Sequence, residues 1–161
     1  NITSVWSPDA RSIAYTSYRR GLPHIFISNI YEGTLQELTR NSGNNFLPSW
    51  SPDGTRLAFT STMDGSGNAE IYVVNRDGTN LRRLTNHPAA DGSPTWAPSG
   101  RQIAFMSDRS GAPQIYIMGS DGLEQPRRVT TRALQKCFRY RVCSSGFYRA
   151  SSPTSHTCGH N

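Results

Sequence analysis

The stretch 49-SWSPDGTRLAFTS-61 has two near copies in the same chain, 5-VWSPDARSIAYTS-17 and 95-TWAPSGRQIAFMS-107. Each joins a Trp, a Pro-containing corner and an apolar run that ends in Ser. Pro, Asp and Gly are turn formers, because Pro presets φ, Asp hydrogen-bonds its own backbone, and Gly tolerates positive φ. An Asp in such a corner invites a reading as an acid or nucleophile. The residues aligned with Asp53 are Asp9 and Ser99, however, so the position needs a short hydrogen-bonding side chain rather than a carboxylate. Asp53 and Gly54 are therefore expected to shape a corner between two strands.

Working outward, the repeat grows. Trp6, Trp50 and Trp96 are followed by SIAYTS at 12–17, RLAFTS at 56–61 and QIAFMS at 102–107. Next come HIFIS at 24–28, EIYVV at 70–74 and QIYIM at 114–118. Segments ending in Thr39, Thr85 and Thr130 close the three blocks. These short runs are rich in Ile, Val, Tyr, Phe and Thr, separated by Gly, Pro, Asp and Asn, and they read as strands. The second and third runs are apolar on both faces, unlike a sheet with one wet side. Four-stranded antiparallel sheets covered on both faces, repeating about every 45 residues, fit propeller blades. A β-sandwich leaves the long repeat unexplained. The expected fold is all-β, a partial β-propeller of about three blades near 1–40, 41–86 and 87–130, with Trp6, Trp50 and Trp96 as anchors between blades.

Composition separates the remainder. The net charge of +6 suggests a polyanion binder until it is divided along the chain. Residues 1–126 carry ten Arg against eleven Asp and Glu, whereas 127–161 carry seven basic residues and no acid. Cys137, Cys143, Cys158 and the single lysine, Lys136, also lie in this tail. Three cysteines cannot all pair within one chain. A fourth repeat would place a Trp near 141, but CFRYRVCSSG stands there, so 131–161 is expected to be disordered, irregular or non-native, as an out-of-frame translation would be. The tail shows no nucleic-acid motif, and no run is long enough to cross a bilayer. The chain opens on Asn1 without a Met or leader and reads as a mature form or a fragment.

The series PSWSPDG, LAFTS, EIYVVNRDGTN and RRLTNHPAADGSPTW resembles the propeller repeat of the TolB-like family over about residues 1–130. Similar blades occur in prolyl-oligopeptidase-like enzymes. The resemblance implies a non-enzymatic, protein- or peptide-binding propeller segment in the periplasm, with an envelope lipoprotein such as Pal as partner and a role in translocation. Its propellers have six blades, and three leave two apolar end faces open, so the chain is expected to be a piece of a longer propeller or to self-associate into a ring. The alternatives are a regulatory propeller fragment of a prolyl-oligopeptidase-like hydrolase, or a structural fragment without a native ligand.

Strand order assigns the connections to two rims. The SPDG corners and the NRDGTN-type turns share one. The loops 18–23, 62–69 and 108–113 share the other with the inter-block links 40–47 and 86–94. Longer, more varied loops carry binding more often than tight hairpins do. On this second rim the candidate partner-binding residues are Arg19, Arg20, Asn44, Asn45, Asp64, His87, Asp91, Asp108 and Arg109. Asp64 sits in an oxygen-rich MDGSGNAE loop without the spacing of a calcium hand. His156, Cys158 and His160, with Cys137 or Cys143, fit no established zinc spacing. No metal and no cofactor is expected. The chain has no Gly-x-Ser-x-Gly elbow, Walker loop, HExxH or dinucleotide fingerprint, so no catalytic residue is assigned.

Overall fold

Twelve short strands form three four-stranded sheets in a computed structural model that describes residues 2–65 and 67–130. The first blade holds β1 (Ile2–Trp6), β2 (Ser12–Arg20), β3 (Leu22–Asn29) and β4 (Leu35–Glu37). The second holds β5 (Asn45–Trp50), β6 (Arg56–Ser61), β7 (Glu70–Asn75) and β8 (Arg82–Arg83). The third holds β9 (Asp91–Trp96), β10 (Gln102–Ser107), β11 (Gln114–Gly119) and β12 (Arg127–Arg128). Every sheet is an antiparallel meander in chain order. The expected all-β partial propeller is thus the observed one. The sequence-based expectations for 131–161, including the Cys and His cluster, lie outside the described residues.

Each first strand carries the same irregularity. Its pairing with the second strand slips once, and Thr3, Leu47 and Ser93 stand at the slips with φ of 46°, 57° and 54°. A bulge of this kind increases local twist and re-aims the strand. In the third blade the re-aimed Ser93 N–H donates to Thr60 Oγ1 of the second at 3.1 Å. The bulge therefore helps join neighbouring sheets.

The core lies between blades. Ala14, Ile25, Ile27 and Leu38 of the first blade pack against Trp50, Leu57, Phe59, Tyr72 and Val74 of the second. One repeat later, Ala58, Ile71, Val73 and half-buried Leu84 meet Trp96, Ile103, Phe105, Tyr116 and Met118. Alternation along β6 and β7 sends successive side chains into these two different clusters, which is why both faces of those strands are apolar. Burying each large aliphatic side chain contributes about 1.5–3 kcal/mol, so the two layers supply most of the driving force. Within each blade a pair of aromatic rings stacks across β2–β3, β6–β7 or β10–β11, with centroids 6.1, 6.0 and 6.0 Å apart.

The tryptophans differ by position. Trp50 and Trp96 are 7% and 6% exposed, and Trp50 Nε1 donates to Val5 O of the preceding blade at 3.3 Å. Trp6 is 59% exposed, because no described sheet precedes it. A second difference concerns the 18–23 connection of the first blade. Its strands run on to Arg20 and from Leu22, leaving Gly21 at φ 94° as the turn, with its N–H donating to Tyr18 O at 2.9 Å.

Candidate functional site

The two rims differ in how their polar groups are used. On the corner rim, Ser51 Oγ donates to Asp53 Oδ1 at 2.5 Å, and the N–H and hydroxyl of Thr55 donate to the same oxygen at 3.0 and 2.8 Å. The Ser51 hydroxyl and the Thr55 groups hold the Asp53 carboxyl down at about 2. Asp9 is held at about 2 in the same way, by Ser7 and the Arg11 N–H, with Arg76 adding to it. In the third corner Ser99 Oγ accepts from Arg101 N at 3.4 Å in place of a carboxylate. These are strand corners whose acceptors are consumed locally.

The second rim carries a denser polar network, and its loops bind one another. Asn68 Nδ2 donates to His87 O at 2.6 Å and to Ala89 O at 3.1 Å, tying the 62–69 loop to the link into the third blade. Asp64 pairs with Arg83 at 2.8 Å, and Arg83 also meets the fully buried Glu70 at 3.0 Å. Glu70 further accepts from His87 N at 2.8 Å and from Thr85 Oγ1 at 2.5 Å. A buried carboxylate needs this many donors, since desolvation otherwise costs several kcal/mol, on the order of the whole fold's margin.

Placed on this rim, the nine sequence candidates divide. Arg19, Arg20 and Asp108 are exposed, and Asn44 and His87 are half-buried. The Arg19 guanidinium lies 5.5 Å from the Phe26 centroid, and Arg20 Nε pairs with Glu37 at 3.2 Å. Asn44 N donates to Thr62 Oγ1 at 3.1 Å, while His87 Nδ1 accepts from Ala89 N at 3.0 Å. Asn45 is fully buried: its amide donates to Gly43 O at 2.8 Å and Asn41 Oδ1 at 2.9 Å, and Ser61 Oγ donates to its carbonyl at 2.8 Å. Asp91, at the equivalent place in the third blade, is also fully buried and pairs with Arg109 at 2.5 Å. Arg109 in turn covers the Phe105 and Tyr116 rings at 5.5 and 5.0 Å. Asn45, Asp91 and Arg109 therefore shape the rim from beneath, and Arg19, Arg20 and Asp108 face outward.

Reading the sequence places Arg83 on a charged outer strand but misses the buried Glu70 and its pairing with that arginine. The signal was present in the alignment of His24, Glu70 and Gln114, three polar residues that stand just before the apolar runs IFI, IYVV and IYIM, each followed about fifteen residues later by Thr39, Thr85 or Thr130. Among the described residues, no group of three or more His, Cys, Asp or Glu side chains is placed to hold a metal ion. No described helix is long and apolar enough to cross a membrane.

Comparison with known proteins agrees with this architecture. The chain is 45% identical over 65 residues to the Tol-Pal system protein TolB of Alcanivorax borkumensis, covering 40% of the chain and 15% of that protein. It is 42% identical over 79 residues to the Tol-Pal system protein TolB of Desulfosudis oleivorans, covering 49% of the chain and 17% of that protein. The crystal structure of TolB from Acinetobacter baumannii superposes with a TM-score of 0.72 at 35% identity, over 81% of this chain and 32% of that one. The matched regions thus span only a minor part of these relatives. The family model of the TolB beta propeller domain matches residues 1–144, and the chain belongs to that family.

Proposed function

We propose that the chain is a non-enzymatic propeller segment of the bacterial envelope that binds a protein or peptide through its second rim. The observation that carries this reading is the contrast between rims. The corner rim spends its carboxylates on its own turns, whereas the second rim presents Arg19, Arg20 and Asp108 outward on a floor braced by Asn45, Asp91 and Arg109. Braced loops over a rigid sheet suit recognition, because little ordering cost remains at binding. Likeness to the Tol-Pal system proteins favours an envelope lipoprotein as partner and the periplasm as the compartment.

The test is calorimetric titration of the full chain with the soluble domain of a peptidoglycan-associated lipoprotein. Binding that weakens about tenfold or more in Arg19→Glu/Arg20→Glu, and stays unchanged in the corner-rim variant Asp77→Asn, supports the reading. Absence of binding, or a loss confined to Asp77→Asn, contradicts it.

A further inference from the structure

A cavity of about 510 Å³ lies between the last strand of the first blade, with the link that follows it, and the β7–β8 hairpin of the second. Buried Leu38 and Val74 form its apolar wall, and Leu81 lines it while remaining exposed. Its two ends differ in charge. Asp77 lies at one, where its carboxylate is spent on the N–H and hydroxyl of Thr79 at 2.9 and 2.7 Å. Glu37 and Arg40 lie at the other.

Glu37 is the centre of a triad whose charges reverse those of the next blade. Its side chain is 7% exposed, and one oxygen, Oε2, meets Arg20 Nε at 3.2 Å and Arg40 Nε at 3.5 Å. The repeat places Arg83 where Glu37 stands, between Asp64 and Glu70 at 2.8 and 3.0 Å. The first triad therefore has a surplus positive charge and the second a surplus negative one. They also differ in access. Glu70 is fully buried and accepts from Thr85 and His87, so its charge is met from within. The side chains of Arg20 and Arg40 are 67% and 75% exposed, which leaves both guanidinium groups open to a second carboxylate.

We propose that this groove docks an extended segment of a partner protein carrying an acidic side chain two residues from an apolar one. The carboxylate bridges Arg20 and Arg40, because guanidinium groups bind carboxylates by strong, charge-assisted hydrogen bonds. The apolar side chain enters the cavity against Leu38, Val74 and Leu81. In an extended segment, residues two apart lie on one face about 6.6 Å from each other, so one side of the segment makes both contacts. β4 ends its sheet, and no strand lies beside its far edge among the described residues. That edge offers main-chain hydrogen bonds to a segment laid along it.

NMR titration of the full chain with a blocked pentapeptide, Ser-Leu-Thr-Glu-Ser, tests this. The amides of Leu38 and Leu81 should shift with a dissociation constant of about 1 mM or tighter. Replacing the probe's Glu by Lys should weaken binding about tenfold or more, since attraction becomes repulsion. Arg40→Glu should reverse that preference, and Leu81→Ser should weaken the Glu probe about fivefold by removing apolar contact. Both side chains are exposed, so both variants should keep the wild-type fold. If Arg40→Glu fails to fold, Arg40→Gln adds no repulsion to Glu37 and should abolish the preference. No shift up to about 10 mM probe overturns the proposal. So does equal affinity for the Glu and Lys probes, or a Glu probe indifferent to Leu81→Ser, which would mean a simple anion site. Arg40 and Leu81 are not among the rim candidates, so the outcome is independent of the lipoprotein titration.

Discussion

The guanidinium of Arg76 lies 5.2 Å from the centroid of the Trp50 ring. From there it crosses to the first blade, donating to Ser12 Oγ at 2.8 Å and meeting Asp9 at 3.3 Å. At the next interface the cation comes from the opposite side. Arg56 of the second blade covers Trp96 of the third at 4.8 Å. Ser12 occupies the repeat position of Arg56, and Ser120 that of Arg76. Each interface thus combines one Arg, one Ser and one Trp, and the Arg and Ser exchange blades. A partly covered cation over an indole contributes about 1 kcal/mol.

This exchange predicts a rescue. Arg76→Ser should destabilise the chain by about 1 kcal/mol, the contribution of such a contact. Adding Ser12→Arg should recover most of the loss, because it rebuilds the first interface in the pattern of the second. Urea denaturation of wild type, both single variants and the double variant forms the cycle that measures this. Simple additivity of the two substitutions would show that the guanidinium does not act through Trp50.

Acid should weaken the corners. Asp9 and Asp53 are lowered from 3.8 to about 2, chiefly by the hydroxyls of Ser7 and Ser51. Asp77 is lowered as well, first by the Thr79 hydroxyl. With folded-state values below the unfolded ones, the folded chain binds fewer protons. The stabilisation is therefore complete above about pH 5 and is lost as pH falls from there toward 2. The urea midpoint should fall across that window, and Asp9→Asn/Asp53→Asn should flatten the fall. An unchanged pH profile in that variant would place the acid sensitivity elsewhere.

Much of this fold is legible in the sequence because the repeat lets one copy explain another. Ser99 in place of Asp53 removes the catalytic reading of the corner, and Trp50 and Trp96 mark where described sheets meet, whereas their copy Trp6 is 59% exposed. What the sequence hides are pairings whose partners vary. The hydroxyls of Thr39, Thr85 and Thr130 lie beside His24, Glu70 and Gln114 in turn, so no single residue pair recurs. Asn45 and Asp91 looked like surface ligands because they sit at a loop end. Their burial follows from the pleat, which turns the first residue of β5 and β9 inward. Side-chain direction at a strand terminus depends on the bulge downstream, and non-glycine residues at Thr3, Leu47 and Ser93 give no sign of it.

Ala10 should be a site of easy stabilisation. It stands at φ 55°, where the copies have Gly54 and Gly100, both at φ 70°. A left-handed conformation costs an L-residue about 1–2 kcal/mol, and glycine's greater unfolded-state entropy offsets about 0.5–1 kcal/mol of any relief. Ala10→Gly is therefore expected to stabilise by about 0.5–1 kcal/mol. Gly54→Ala should destabilise, on the same reasoning. Thermal unfolding of both variants checks the pair of opposite signs.

Thr85 should be the costliest hydroxyl to remove among the described residues. Its Oγ1 accepts from the Ile71 N–H at 2.9 Å and donates to Glu70 Oε2 at 2.5 Å, with both partners fully buried. Valine keeps the shape of Thr and deletes both bonds at once, leaving an amide without an acceptor and a carboxylate short of a donor. Each loss costs about 1–3 kcal/mol where water cannot enter, so Thr85→Val should destabilise by about 3 kcal/mol. Thr130 makes the same two bonds to Ile115 and Gln114 at 2.9 and 2.6 Å, but Ile115 there is 40% exposed, unlike fully buried Ile71. Water can reach the Ile115 amide and replace the hydroxyl there, so Thr130→Val should cost about 1 kcal/mol. Thr85→Ser separates the hydroxyl from the methyl group and should retain most of the stability. Equal losses for Thr85→Ser and Thr85→Val in urea denaturation would mean that packing, not hydrogen bonding, fixes the end of the second blade.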